Sequence, residues 1–279
     1  MGLKVIGGRM VDMGVLPLPV MNFDPRQLRD EHGRWTDEGG GSSGKKGVDT
    51  DGTKPPVKVW GNVLFIDSAG KKVPPTKDRQ VSLERVTVAH KGMEDQFAED
   101  TFAKEEPVTL QVCDVIPSAS DASGRSRRHM GMYLRRETPK KKSALFIAGA
   151  LGEEEEHPRI AKDIPGGAFN VGKDLATVYR HEYAHHLYHS NNMWRAAPRW
   201  EKLMRDEGYF HQAQIDNPDA YRGSDRIRRE VSVYVGTNHF EAFAETFAAY
   251  THPGYKAGSL PPKIEAFYRE NFPKRVKRK

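Results

Sequence analysis

The sequence predicts an α+β domain, and three observations carry the prediction. Short apolar or alternating runs, such as Val108–Val115 and Ala144–Ala148, occupy the chain up to residue 148. Beyond residue 173, apolar residues recur at three- and four-residue intervals, the spacing of helices. The 279 residues, 37% of them hydrophobic, are enough for one core of roughly 150–200 residues with segments outside it. The expected architecture is a small twisted sheet of three or four strands packed on a helix, with a helical C-terminal subdomain.

Taken in order, residues 1–56 are expected to be a disordered segment and linker. They include the run Gly39–Gly44 and end in Pro55-Pro56, a composition that buries too little apolar surface to offset chain entropy. Residues 57–105 are either an accessory part or the start of the main domain. Within them Val57–Ser68 alternates as one or two strands, and Ser82–Lys104 carries spaced apolar residues suited to an amphipathic helix. The main domain is expected over residues 106–272. Val108–Val115, Met130–Arg136 and Ala144–Ala148 read as strands, and Pro117–Arg128 as a loop. Glu153–Glu156 reads as a solvated run. A helix is predicted from Lys173 to Ser190, with others near 195–208, 238–250 and 260–271. Residues 273–279 form a basic tail.

Composition excludes several classes. Mean hydropathy is −0.72, and no apolar run approaches the roughly 18 residues a spanning helix needs. Val11–Val20 is broken by Asp12, Gly14, Pro17 and Pro19, so no signal peptide is expected. The single cysteine, Cys113, excludes an internal disulfide and a multi-cysteine zinc finger, and suits a small buried residue in a strand. Net charge is +6, but Lys274, Arg275, Lys277, Arg278 and Lys279 supply most of the excess. The body of the chain is therefore near neutral, which leaves only the tail as a candidate nucleic-acid contact.

The chemistry sits in His181-Glu182-Tyr183-Ala184-His185. Histidines at i and i+4 lie one helical turn apart and differ by about 40° around the axis. Both imidazoles can point at one ion, with Glu182 displaced to the side. Two neutral nitrogens can hold Zn²⁺, one position can stay open to water, and the carboxylate can take a proton. The metzincin extension would place Gly at 188 and His at 191. The chain has Tyr188 and Asn191 there, so that class is rejected. His186 and His189 are expected beside the ligands or at the surface.

A third ligand is sought downstream. Glu241 and Glu245 stand at i and i+4, on a different face from the apolar stripe Phe240, Phe243, Phe247 and Tyr250. Ala248 and Ala249 continue the acidic face and would allow close helix approach. One carboxylate can reach the ion while the next holds a ligand histidine. Glu241 also stands at N3 after Asn238, where a capping carboxylate belongs, and that alternative is open. Tyr234, seven residues before Glu241, is either a hydroxyl that donates to a developing oxyanion or a core tyrosine.

Together, His181-Glu182-x-x-His185 and Tyr234-x-x-Thr237-Asn238-x-x-Glu241-x-Phe243-Ala244-Glu245-x-Phe247 resemble the gluzincin zinc metallopeptidases. Within that group they are most similar to the catalytic domain of anthrax lethal factor and its phage-encoded relatives. The resemblance covers roughly residues 140–272. It implies a zincin-like fold and one Zn²⁺ held by His181, His185 and Glu241. It further implies Glu182 as general base, Tyr234 facing the substrate carbonyl, and Glu245 supporting a ligand histidine. Separately, Phe23–Thr36 resembles a short segment of tailed-phage head and virion-associated proteins.

The expected activity is a zinc metalloendopeptidase acting on a protein or peptide, with a strand at the sheet edge holding the substrate by backbone pairing. Cytoplasmic (host-cell) or virion-associated location follows from the phage resemblance and the absence of a predicted leader or span. Phage structural proteins are then candidate partners. The rival expectation is a virion or head-morphogenesis protein that keeps the fold without turnover. A peptidase delivered into another cell is the third. Arg125, Arg127 and Arg128 form a smaller basic loop suited to solubility or to acidic substrate residues.

Overall fold

The computed structural model describes residues 3–6, 9–12, 60–67, 69–97, 108–113, 131–134, 143–148, 158–164, 167–168, 170–172, 174–189, 196–218 and 222–274. Expectations for Phe23–Thr36, Pro117–Arg128, Glu153–Glu156 and residues 275–279 lie outside these. The chain divides into two compact units, Met1–Asp37 and Glu38–Lys279. In the first, β1 (Leu3–Ile6) and β2 (Arg9–Asp12) pair antiparallel, with Ile6 opposite Arg9. The expectation that residues 1–56 lack order missed this hairpin. Gly7-Gly8 between the two runs is a two-residue hairpin signal in the sequence.

The second unit has a mixed α/β architecture. Its open sheet has the order β3 (Trp60–Phe65), β4 (Val108–Cys113), β6 (Ala144–Ala148), β5 (Gly131–Leu134). β3, β4 and β6 run parallel, and β5 pairs antiparallel to β6 as the edge strand. All five residues of β6 are buried, which explains its unbroken apolar run. Cys113 is buried in β4, and its thiol donates to the Ile147 carbonyl at 3.5 Å. Because β3 pairs with β4, residues 60–65 belong to the same sheet as the later strands.

Seven α-helices occur among the described residues. The first, α1 (Lys77–Gln96), begins a turn and a half before the Ser82 expected from the apolar spacing. Thr76, directly after Pro74-Pro75, caps it: the Thr76 hydroxyl accepts from the Arg79 N–H. Its Val86 and Met93 are fully buried in the common core. α2 (Leu175–His189) starts behind Asp174, whose carboxylate accepts from the Thr177 N–H and hydroxyl. α3 (Ala197–Asp206), α6 (His239–Thr251) and α7 (Pro262–Asn271) lie where helical spacing predicts them. Two short helices, α4 (Gln212–Asp216) and α5 (Asp225–Glu230), were not expected, since one turn or two leaves no readable period.

α2 is the hub. It packs against α6, α1 and the β5–β6 edge of the sheet. Toward α1, the Tyr179 hydroxyl hydrogen-bonds with His90 Nδ1 at 2.8 Å and accepts from Trp60 Nε1–H at 3.1 Å. One side of α6 is aromatic. Phe243 and Phe247 pack with Trp200, Tyr268 and Phe272. In the basic tail, exposed Lys274 pairs with Phe97 in an isolated β-bridge, and its ammonium lies 4.6 Å from the Tyr250 ring centroid. No helix among the described residues is long and apolar enough to cross a membrane.

Candidate metal centre

His181 and His185 lie one turn apart on the side of α2 that faces α6. Glu241 comes from the first turn of α6. Asn238 caps that helix, its side-chain oxygen accepting from the Phe240 and Glu241 N–H groups at 3.0 and 2.9 Å. The Glu241 carboxylate turns not to the Asn238 N–H but to both histidines. Its Oε2 lies 3.0 Å from His181 Nε2 and 3.3 Å from His185 Nε2. The two ring nitrogens are 3.2 Å apart. Among the described residues, these three side chains form the one group able to hold a metal ion.

The chemistry of the donors supports that use. His181 Nδ1 lies 3.1 Å from Glu245 Oε1. A carboxylate only accepts, so Nδ1 carries a proton, and Nε2 presents its lone pair whenever the ring is neutral. That lone pair meets an anionic oxygen and a second ring nitrogen, an arrangement that repels unless a cation stands between them. Zinc–nitrogen and zinc–oxygen bonds of about 2.0–2.2 Å put tetrahedral ligand atoms about 3.3–3.6 Å apart. The observed 3.0–3.3 Å triangle is close to such a face. Without an ion, a proton plays that part. Burial lowers the His181 pKa, but the hydrogen bonds to Glu241 and Glu245 and the charges of Glu241 and Glu182 outweigh it and raise the value well above 6.5. Burial likewise works against ionisation of Glu241, yet the charge of His185 and bonds to both rings hold it well below the usual carboxylate range.

Glu245 is held in turn. Its Oε2 accepts from the Val171 N–H and the Ser232 hydroxyl, each at 2.9 Å. Ser232 Oγ also accepts from the Val235 N–H at 3.3 Å. Val235 follows Tyr234 in a short 3-10 turn, Tyr234–Gly236. The Tyr234 hydroxyl donates to Glu241, and its ring centroid is 5.9 Å from that of His181. Burial, then the carboxylates of Glu241, Glu182 and Glu245, push the phenol well above 10, so it keeps its proton. A closed ring of contacts thus runs His181–Glu245–Ser232–Val235–Tyr234–Glu241.

Glu182 points to the neighbouring side of α2, toward β5. Its carboxylate accepts from the Tyr133 backbone N–H, and it feels the charges of His181, His185 and Glu241. Burial is the main cause that raises its pKa above 4.5. His186 and His189 continue this face rather than the His181/His185 face. His186 is buried beside Tyr133, and His189 stacks on the Tyr133 ring at 6.1 Å. The expectation that His186 sits beside the ligands or at the surface is therefore corrected: the helix turns it onto the sheet edge.

The structure brings together His181, His185, Glu241, Glu245, Glu182 and Tyr234. The sequence reading missed Ser232, Val171 and Tyr133. Backbone donors and a lone serine leave no signature in spacing. No family model, curated protein or solved structure matches this chain.

Proposed function

We propose that the chain is a zinc-dependent endopeptidase built on a zincin-type fold. The observation that carries this reading is the 3.0–3.3 Å triangle of His181, His185 and Glu241 with a buried carboxylate, Glu182, on the adjoining helix face. His181, His185 and Glu241 would hold the ion. When bound, zinc supplies a Lewis acid and lowers the pKa of a water to about 7.

The chain's own residues supply the rest. Glu182 takes a proton from the attacking water and delivers it to the leaving amine. Its raised proton affinity suits both tasks, because a general base works best near the operating pH. Tyr234 stays protonated and can donate to the oxyanion that forms on the scissile carbonyl. Glu245 fixes the His181 tautomer so that Nε2 remains a donor to metal. The edge strand β5 lies beside Glu182 and offers backbone groups to an extended peptide, although its Tyr133 N–H is already engaged.

The test is metal analysis of the wild type and His185→Ala, with unbiased mapping of new protein termini. The wild type should hold one zinc per chain, and His185→Ala much less. Glu182→Gln should keep the metal and lose cleavage by about 10²–10⁴-fold. Cleavage by Glu182→Gln at the wild-type rate would remove Glu182 as the base. Stoichiometric metal with no cleavage of diverse proteins would favour the non-catalytic virion role instead.

A further inference from the structure

Strand β5 meets α2 at a point where no side chain fits. A Cβ at Gly131 would lie 2.5 Å from Glu182 Cγ, 2.7 Å from Glu182 Oε1 and 2.7 Å from Val178 Cγ1. Gly131 is absent from the glycines with positive φ, so space, not backbone angle, calls for glycine. The two neighbours are one turn apart on α2, on the stripe that continues through His186 and His189.

Glycine in a strand weakens it, and a helix residue packed on a sheet is ordinarily apolar and short. Here the order is reversed. The helix carries a long, charged side chain at the contact, and the strand gives up its own side chain to make room. Two residues along, on the same face of β5, Tyr133 anchors the strand. Its ring stacks on His189 and its hydroxyl donates to Ser143 at 3.2 Å. Its backbone N–H donates to the Glu182 carboxylate. Glu182 is therefore lodged between bare backbone at Gly131 and a fixed donor at Tyr133.

We infer that Gly131 is a positioning residue for Glu182: the bare backbone of β5 lets this carboxylate lie alongside His181, His185 and Glu241. The inference rests on the peptidase reading for its catalytic consequence, and on packing alone for its geometry. A methyl group at 131 displaces the Glu182 carboxylate, since its three nearest atoms belong to Glu182 and Val178 and to none of the three metal ligands. Metal binding and chemistry are thereby separated.

The experiment has two parts. In the first, Gly131→Ala is compared with the parent for metal content, kcat and KM on a peptide the parent cleaves. Metal content should be unchanged, KM should stay within about threefold, and kcat should fall about 100-fold, as for a displaced catalytic group. In the second, urea midpoints are measured for a double-mutant cycle of Gly131→Ala and Glu182→Ala. The cycle uses a Val178→Ala background, so that the Val178 contact does not mask the result. Gly131→Ala should lower the midpoint when Glu182 is present and hardly at all when Glu182→Ala has opened the space. Failure of Gly131→Ala to fold, repaired by Glu182→Ala, is the same coupling in the extreme. Parental kcat in Gly131→Ala, or additive midpoints in the cycle, would overturn the inference. If the parent binds metal and cleaves nothing, the peptidase reading falls by itself. The urea cycle then still decides whether Gly131 sets the position of Glu182.

Discussion

The Ser232 hydroxyl has no exposure, and it joins two parts of the centre that are distant along the chain. It donates to Glu245, which holds His181, and it accepts from the first N–H after Tyr234. Replacing it with alanine leaves the Val235 N–H without this acceptor and Glu245 Oε2 with the Val171 N–H alone. Carboxylates and hydroxyls that orient metal-binding histidines are typically worth 10–100-fold in metal affinity. Ser232→Ala should weaken zinc binding about tenfold, the low end of that range, because the Val171 N–H remains. Competition against a chelator of known affinity measures this directly. Unchanged affinity would mean that Glu245 is held without Ser232. The six residues read from the sequence carry side-chain chemistry at helical spacing, and that made them legible. Ser232, Gly131 and the Tyr133 N–H act through a buried hydroxyl, a missing side chain and a backbone group. No pattern of residue types announces any of these.

At the level of elements, the centre depends on how closely α2 and α6 approach. Ala244 and Ala248 share the stripe of Glu241 and Glu245, and both are fully buried, as is Ala184 on α2. Small residues there let the carboxylates of one helix reach the rings of the other. Ala248→Leu adds bulk to a filled contact, which typically costs about 1–3 kcal/mol. It should also push Glu241 away from the histidines, so zinc affinity should fall along with the urea midpoint. A variant that lost stability yet kept full affinity would show that the helices can part without opening the centre. The same helices explain which elements the sequence disclosed. α2, α6 and α7 bury long apolar stripes and so repeat visibly. α1 begins at a cap, Thr76 after two prolines, and an apolar count begins too late to find it. β5 is only four residues long, and its importance lies in what it touches.

For the molecule as a whole, the centre links stability, protons and metal. In the metal-free chain, His181 binds its proton more tightly when folded than the ordinary value of 6.5, because Glu241 and Glu245 overcome the effect of burial. Such a group contributes stability that is fully present below its unfolded value and is lost as pH rises through its folded value. Glu182, raised by burial, acts with the same sign. Glu241 is depressed, so its contribution is present above the unfolded carboxylate value and is lost only in acid. Between about pH 6 and pH 8, the metal-free protein should therefore lose stability from this site as pH rises. Zinc acts in the opposite direction. It needs the unprotonated Nε2 of His181, so binding releases a proton and strengthens with pH. Ligand at 100 times its Kd stabilises by about 2.7 kcal/mol, or about 5–10 °C in Tm for a domain of this size. At fixed total zinc, the gap in Tm between loaded and metal-free protein should widen from about pH 6 to about pH 8. Calorimetry of both forms at the two pH values reads the gap, and His185→Ala should abolish most of it at each. A gap that narrowed with pH would mean that the ion enters without displacing the His181 proton, and the triangle of donors would then not be where it binds.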